Sequence, residues 1–124
     1  LERGKAALGI LRGDRMMDLE LLFQKSDLIP VIIQDVDTRD ILMLGFTNKE
    51  AVELTLETKT AWFWSRSRQK LWNKGEGSGH FLHVKKVVTD CDTDTLLYLC
   101  TPEGPTCHTG ERSCFFNTIW EETP

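Results

Sequence analysis

The sequence predicts an α+β fold, mainly antiparallel β with one or two short helices. Apolar runs rich in β-branched and aromatic residues recur at short intervals, only two stretches carry helix signals, and turn-forming residues separate the runs. A chain of 124 residues allows one core. With 40% hydrophobic and 27% charged residues it reads as an ordinary globular protein. No internal repeat or linker divides it. Residues 18–124 are therefore expected to form a single domain, and residues 1–17 an N-terminal extension without clear periodicity. No apolar run reaches membrane-spanning length and no secretory signal pattern appears, so a soluble, cytoplasmic protein is expected.

Taken in order, residues 18–23 suit a short helix that stops before Pro30. Residues 31–36 and 41–46 are β-rich, and Asp37-Thr38-Arg39-Asp40 between them reads as a hairpin loop. Thr47-Asn48-Lys49-Glu50 has the form of a capping box, with Thr47 as the cap and Glu50 reaching back. A helix of about three turns should follow, over residues 48–57. Residues 60–64 are aromatic enough for another strand, and 65–80 form a basic, glycine-rich segment expected to be a loop. Strands are expected over 80–89 and 96–101, a turn at 102–105, and a last strand over 113–120.

Charge is unevenly placed. Residues 59–86 hold seven Lys or Arg against one Glu, and residues 90–124 hold seven acids against one Arg. A basic middle beside an acidic end suits a phosphorylated small molecule, while the net charge of −4 gives no reason to expect nucleic-acid binding.

All four cysteines lie within residues 90–114, beside three aspartates and His108. Thiolate and imidazole suit Zn²⁺, and carboxylates suit Mg²⁺ or Ca²⁺. If residues 88–95 run as a strand, Asp90, Asp92 and Asp94 share one face and Cys91 points to the other. Three carboxylates in a row need a compensating cation, so an oxygen site and a sulfur site back to back are expected. An EF-hand would need Gly and Glu where Thr95 and Thr101 stand. No C-x₂-C knuckle is present, and the H-x-E and P-C-x-x-C signatures of nucleobase deaminases are absent. Cys100 lies in an apolar run and reads as a small buried hydrophobe. Cys91, Cys107 and Cys114 then leave one tetrahedral position open, unless His108 fills it and closes a structural site.

Trp64-Ser65-Arg66-Ser67-Arg68, Leu71-Trp72-x-Lys74-Gly75-Glu76-x-Ser78-Gly79, Asp90-Cys91-Asp92-x-Asp94 and Cys107-His108-Thr109-Gly110-x-x-Ser113-Cys114-Phe115 stand in this order. Together they resemble phosphoribosyl-AMP cyclohydrolase, an enzyme family of histidine biosynthesis, over roughly residues 28–117. Leu82 and Pro102 depart from the pattern, each standing where Gln is common. The resemblance implies a hydrolase that opens the adenine ring of N1-(5-phosphoribosyl)-AMP at the N1–C6 bond, and an intertwined homodimer. It implies Zn²⁺ on Cys91, Cys107 and Cys114 drawn from two subunits, Mg²⁺ on Asp90, Asp92 and Asp94, and His108 as proton shuttle or as a hydrogen-bond partner of a zinc thiolate. Arg66, Arg68 and Lys74, with Gly75, Glu76, Ser78 and Gly79, become the candidates for binding the substrate's two phosphates. Many relatives carry a second, pyrophosphohydrolase domain, and only the cyclohydrolase step is expected of this chain. The rival from another class is a zinc-stabilised, non-enzymatic module that binds a phosphorylated ligand.

Overall fold

The computed structural model describes residues 19–124; the proposed extension, 1–17, and Asp18 lie outside the described residues. The chain runs α1 (Leu19–Leu22), β1 (Ile29–Asp35), β2 (Ile41–Thr47), α2 (Lys49–Thr58), β3 (Trp62–Ser65), β4 (Lys70–Asn73), β5 (Leu82–Thr89) and β6 (Leu96–Pro102). Four strands form one sheet in the order β2-β1-β6-β5, and β3 and β4 form a separate hairpin. Pairing is antiparallel except between β1 and β6, where Val31 to Asp35 run parallel to Leu96 to Cys100. The α+β expectation holds. No helix among the described residues is long and apolar enough to cross a membrane.

Strand β1 shows why these residues form a sheet. Ile29, Val31, Ile33 and Asp35 alternate inward, and the β-branched members pack on a pleated face. Their neighbours in the core are Leu42, Val52, Phe63, Leu82, Leu96 and Tyr98, all essentially without solvent contact. Helix α2 closes one side of this core through Ala51, Val52 and Thr55, which recur at helical spacing. It ends at Lys59, a left-handed residue (φ 64°) whose N–H donates to the Thr55 carbonyl. Gly45 lets β2 approach the β3–β4 hairpin. A Cβ there would stand 2.6 Å from the Phe63 ring.

Four local expectations are corrected. The cap of α2 is Asn48, whose Oδ1 accepts from the Ala51 N–H at 2.9 Å, whereas Thr47 is the buried last residue of β2, paired with Ile29. The basic segment is not all loop, because Lys70–Asn73 pairs with Trp62–Ser65. Residues 88–95 are not one strand, since β5 stops at Thr89 and a turn occupies 90–95. Residues 113–120 form no strand. Their composition is strand-like, but a strand needs an edge to pair with, and past Cys114 this segment joins no ladder among the described residues.

Candidate functional site

The aspartates and Cys91 sit on the β5–β6 turn. Asp90 Oδ1 accepts the N–H groups of Asp94 (3.0 Å) and Thr95 (3.2 Å), and Thr93 takes a left-handed φ of 61°. These bonds replace the strand alternation and hold the Asp90 carboxyl below the usual carboxylate range, the Asp94 amide contributing most. Asp92 Oδ1 accepts the Cys91 thiol at 2.8 Å, which pushes the Cys91 pKa up. Asp94 Oδ2 is 3.1 Å and Asp92 Oδ2 3.9 Å from the Lys25 ammonium. A lysine just before β1 thus sets one positive charge against two of the three carboxylates. Nothing in its local sequence signals that role.

Cys107 and Cys114 lie on a second loop, at the other end of the sheet. The Cys114 N–H donates to the Leu42 carbonyl at 2.8 Å, and Ser113 Oγ to that of Ile41 at 2.7 Å. Thr109 Oγ1 donates to Cys107 Sγ at 3.1 Å and is the largest of the influences that lower the Cys107 pKa; Lys74 also favours the thiolate. Cys114 is shifted up, by desolvation first and then by the hydrogen bond it shares with Cys107. The two sulfurs are therefore neighbours, with the Lys74 charge close by. His108 is exposed on the same loop. Cys100 is buried in the core, where desolvation pushes its thiol to about 12, which removes it from the candidate ligands.

The third thiol is not with these two. Thr89 and Leu96, which flank the aspartate turn, are level with Val31 near the start of β1, whereas Leu42 lies near its end. Three strand spacings across the sheet and two to three residues along it place Cys91 on the order of 15 Å from Cys114. Thiolates sharing one zinc lie within roughly 4 Å of each other, because Zn–S is about 2.3 Å. No three His, Cys, Asp or Glu side chains among the described residues gather as a metal-holding group. Among the described residues, the structure does not bring the three thiols of Cys91, Cys107 and Cys114 together.

The basic residues divide. Arg66 and Arg68, with Phe46, Phe63, Trp64 and Trp72, line an open cavity of about 640 Å³ between β2 and the β3–β4 hairpin. The Arg66 guanidinium lies 3.8 Å above the Phe46 ring, a contact that holds its plane in place. Lys74 instead stands 5.5 Å from the Trp72 ring, near the two cysteines. The 75–79 loop is closed on itself. The N–H groups of Glu76 and Gly79 donate to Asn73 and Gly75, Glu76 Oε1 accepts the Asn73 N–H, and Ser78 Oγ accepts that of His80. Gly75 (φ 101°) is required, because a Cβ would meet the Phe81 backbone at 2.7 Å. Glu76 and Ser78 thus shape the turn that carries Lys74.

The two departures from the resemblance face each other. Leu82 and Pro102 are cross-strand partners, and Leu82 is buried. The Glu103 N–H donates to the Phe81 carbonyl just beyond them, so theirs is a pair that exchanges no hydrogen bonds and the missing Pro102 N–H costs this ladder nothing.

A family model described as phosphoribosyl-AMP cyclohydrolase matches residues 43–116. A protein named phosphoribosyl-AMP cyclohydrolase from Clostridium botulinum is 57% identical over 101 residues, covering 81% of this chain and 92% of its own. Proteins of the same name from Cenarchaeum symbiosum and Streptococcus sanguinis are 52% and 51% identical, covering 81% and 86% of this chain and 94% and 95% of theirs. The matched span holds both arginines, both cysteine loops and the aspartate turn, and the chain belongs to the phosphoribosyl-AMP cyclohydrolase family.

Proposed function

We propose that this chain hydrolyses the N1–C6 bond of the adenine ring in N1-(5-phosphoribosyl)-AMP, a step of histidine biosynthesis, and does so as a homodimer that holds zinc between its subunits. The observation that carries the dimeric part is the separation of the thiols. Cys107 and Cys114 are neighbours in one loop, while Cys91 lies at the far end of the sheet. In a symmetric dimer, Cys91 of one subunit completes the pair of the other twice over. The donor set so formed, three thiolates and an open position, fits a catalytic zinc. Zinc bound there would supply Lewis acidity that brings the pKa of the attacking water toward about 7.

The chain's own residues supply the rest. Ribosylation at N1 leaves C6 electron-poor. Water adds its oxygen to C6, the C6–N1 bond breaks, and N1 leaves carrying a proton. His108, exposed beside Cys107, takes the proton from the water and returns it to N1, since a ring nitrogen can both accept and donate a proton. Arg66 and Arg68 bind phosphate oxygens, with Arg66 oriented in advance by Phe46. Lys74 places a second positive region near the thiols. Asp90, Asp92 and Asp94, not gathered into one group in this structure, carry hard oxygen donors suited to Mg²⁺, and Lys25 faces Asp92 and Asp94.

The test is an ultraviolet assay of ring opening by zinc-loaded protein, with and without Mg²⁺, alongside Cys107→Ser. Turnover that disappears in the variant and requires Mg²⁺ is the expected result. A folded, zinc-loaded dimer without turnover would remove the cyclohydrolase reading. A rate indifferent to Mg²⁺ would leave the aspartates with a structural role.

A further inference from the structure

Arg112 stands two residues before Cys114, and its side chain reaches back across the molecule to the β1–β2 hairpin. Its Nη2 donates to Asp35 Oδ2 at 2.8 Å, to Thr38 Oγ1 at 2.8 Å and to Asp40 Oδ2 at 3.1 Å. Asp35 is the last residue of β1 and only 5% exposed, a rare setting for a carboxylate. It is immobile, because Oδ1 accepts the N–H groups of Asp37 (2.8 Å) and Thr38 (3.1 Å) while Oδ2 takes the arginine. The Arg112 backbone holds the other side of the loop. Its carbonyl accepts the N–H of Thr106, the residue before Cys107, at 3.2 Å. One residue thus ties the Cys107 side of the loop by its backbone, the Cys114 side by sequence, and both to the sheet by its guanidinium.

We propose that Arg112, locked by Asp35, is a positioning residue that sets the spacing of Cys107 and Cys114 and the stance of His108 between them. The proposal rests on the reading that the two thiols act together on one metal. A buried carboxylate gripped by a charged hydrogen bond is a stiffer anchor than the exposed hydroxyl and acid at Thr38 and Asp40. All three contacts are made by one nitrogen with two N–H groups, so one of them is shared; lysine could supply three donors, but on a flexible stem with no planar group to fix where they point. Groups that orient metal ligands without touching the metal commonly change affinity or activity by about 10- to 100-fold when removed.

Arg112→Lys and Asp35→Asn test this in full-length protein. In metal-free protein, phenylarsine oxide, which closes a ring on two adjacent thiols, reports the spacing of Cys107 and Cys114 directly. Zinc affinity is read by competition with a chromophoric chelator, and thermal unfolding controls for loss of fold. Arg112→Lys should weaken both arsenical capture and zinc binding by about 10-fold or more while unfolding stays cooperative, with kcat falling more than KM rises. Should Asp35→Asn fail to fold, Thr38→Val and Asp40→Asn remove the exposed partners and should each give a several-fold loss of capture. Wild-type capture and zinc affinity in Arg112→Lys would overturn the proposal. Capture that depends on Arg112 in a protein unable to open phosphoribosyl-AMP would uphold it and remove only the enzymatic reading.

Discussion

The two cysteine-bearing loops solve opposite problems. The β5–β6 turn is crowded with carboxylates, so it folds by using them: Asp90 bonds the turn's amides, Asp92 accepts a hydrogen bond from the Cys91 thiol, and Lys25 faces Asp92 and Asp94. Cys91 is left with a raised pKa and a partner of its own. The 107–114 loop has one acid and is braced from outside, by Arg112 on Asp35 and by Ser113 and Cys114 on β2. Its Cys107 thiol is shifted down. One loop satisfies itself, and the other is held open by the sheet. A thiol from the first and two from the second can share a metal only if the self-contained turn is presented to another subunit's braced loop.

The largest effect would break or establish that division. Cys91→Ser and Cys107→Ser should each abolish turnover when made alone. Mixed after reversible dissociation, the two inactive proteins should recover up to about a quarter of wild-type activity, since half of the random dimers are mixed and each holds one intact site. Absence of recovery, with mixed dimers demonstrated by mass, would place all three thiols in one chain's service and end the two-loop scheme.

Much of this fold was legible in the sequence, and the failures share a cause. Strands β1, β2, β5 and β6 announce themselves by apolar or β-branched runs that the sheet pairs, although in β5 only Leu82 is buried. Strand β4 does not, because Lys70-Leu71-Trp72-Asn73 looks like more of a basic loop until Trp62–Ser65 is seen to pair with it. Alternation predicted three aspartates on one face, but alternation belongs to an extended chain, and an Asp side chain can outbid the ladder for nearby amides. The helix start was placed one residue early for a similar reason. Asn48 caps at least as well as Thr, and Thr47 was already committed to the sheet. The site divided likewise. Motif spacing indicated the cysteines, whereas the Arg112–Asp35 and Lys25–Asp94 contacts span 77 and 69 residues and leave no local trace.

A smaller effect sharpens the contrast between the loops. Arg112 holds the Asp35 carboxyl below the usual carboxylate range, and the turn amides do the same for Asp90. A depressed folded pKa stabilises the fold fully above the unfolded value, about 3.9, and that contribution is lost as pH falls through the folded value. Stability measured by urea unfolding should therefore decline in acid, and Asp35→Asn should flatten the decline more than Asp90→Asn, because Asp35 is buried and Asp90 exposed. Equal flattening by the two variants would mean that the sheet does not brace its loop more strongly than the turn braces itself.

The smallest effect concerns Lys25. Its ammonium lies against Asp94 and near Asp92, where a divalent cation drawing on both carboxylates would also sit. Binding Mg²⁺ then means displacing a tethered, exposed lysine, and such surface ion pairs are weak. Lys25→Met should tighten Mg²⁺ only a few-fold, on the order of what an exposed pair contributes, as read by calorimetry. The same variant should leave zinc affinity unchanged, because Lys25 faces the aspartates and not the braced loop. Weaker Mg²⁺ binding in Lys25→Met would show that the lysine arranges the carboxylates for the metal instead of competing with it, making the turn a site shaped from outside after all, as the 107–114 loop is.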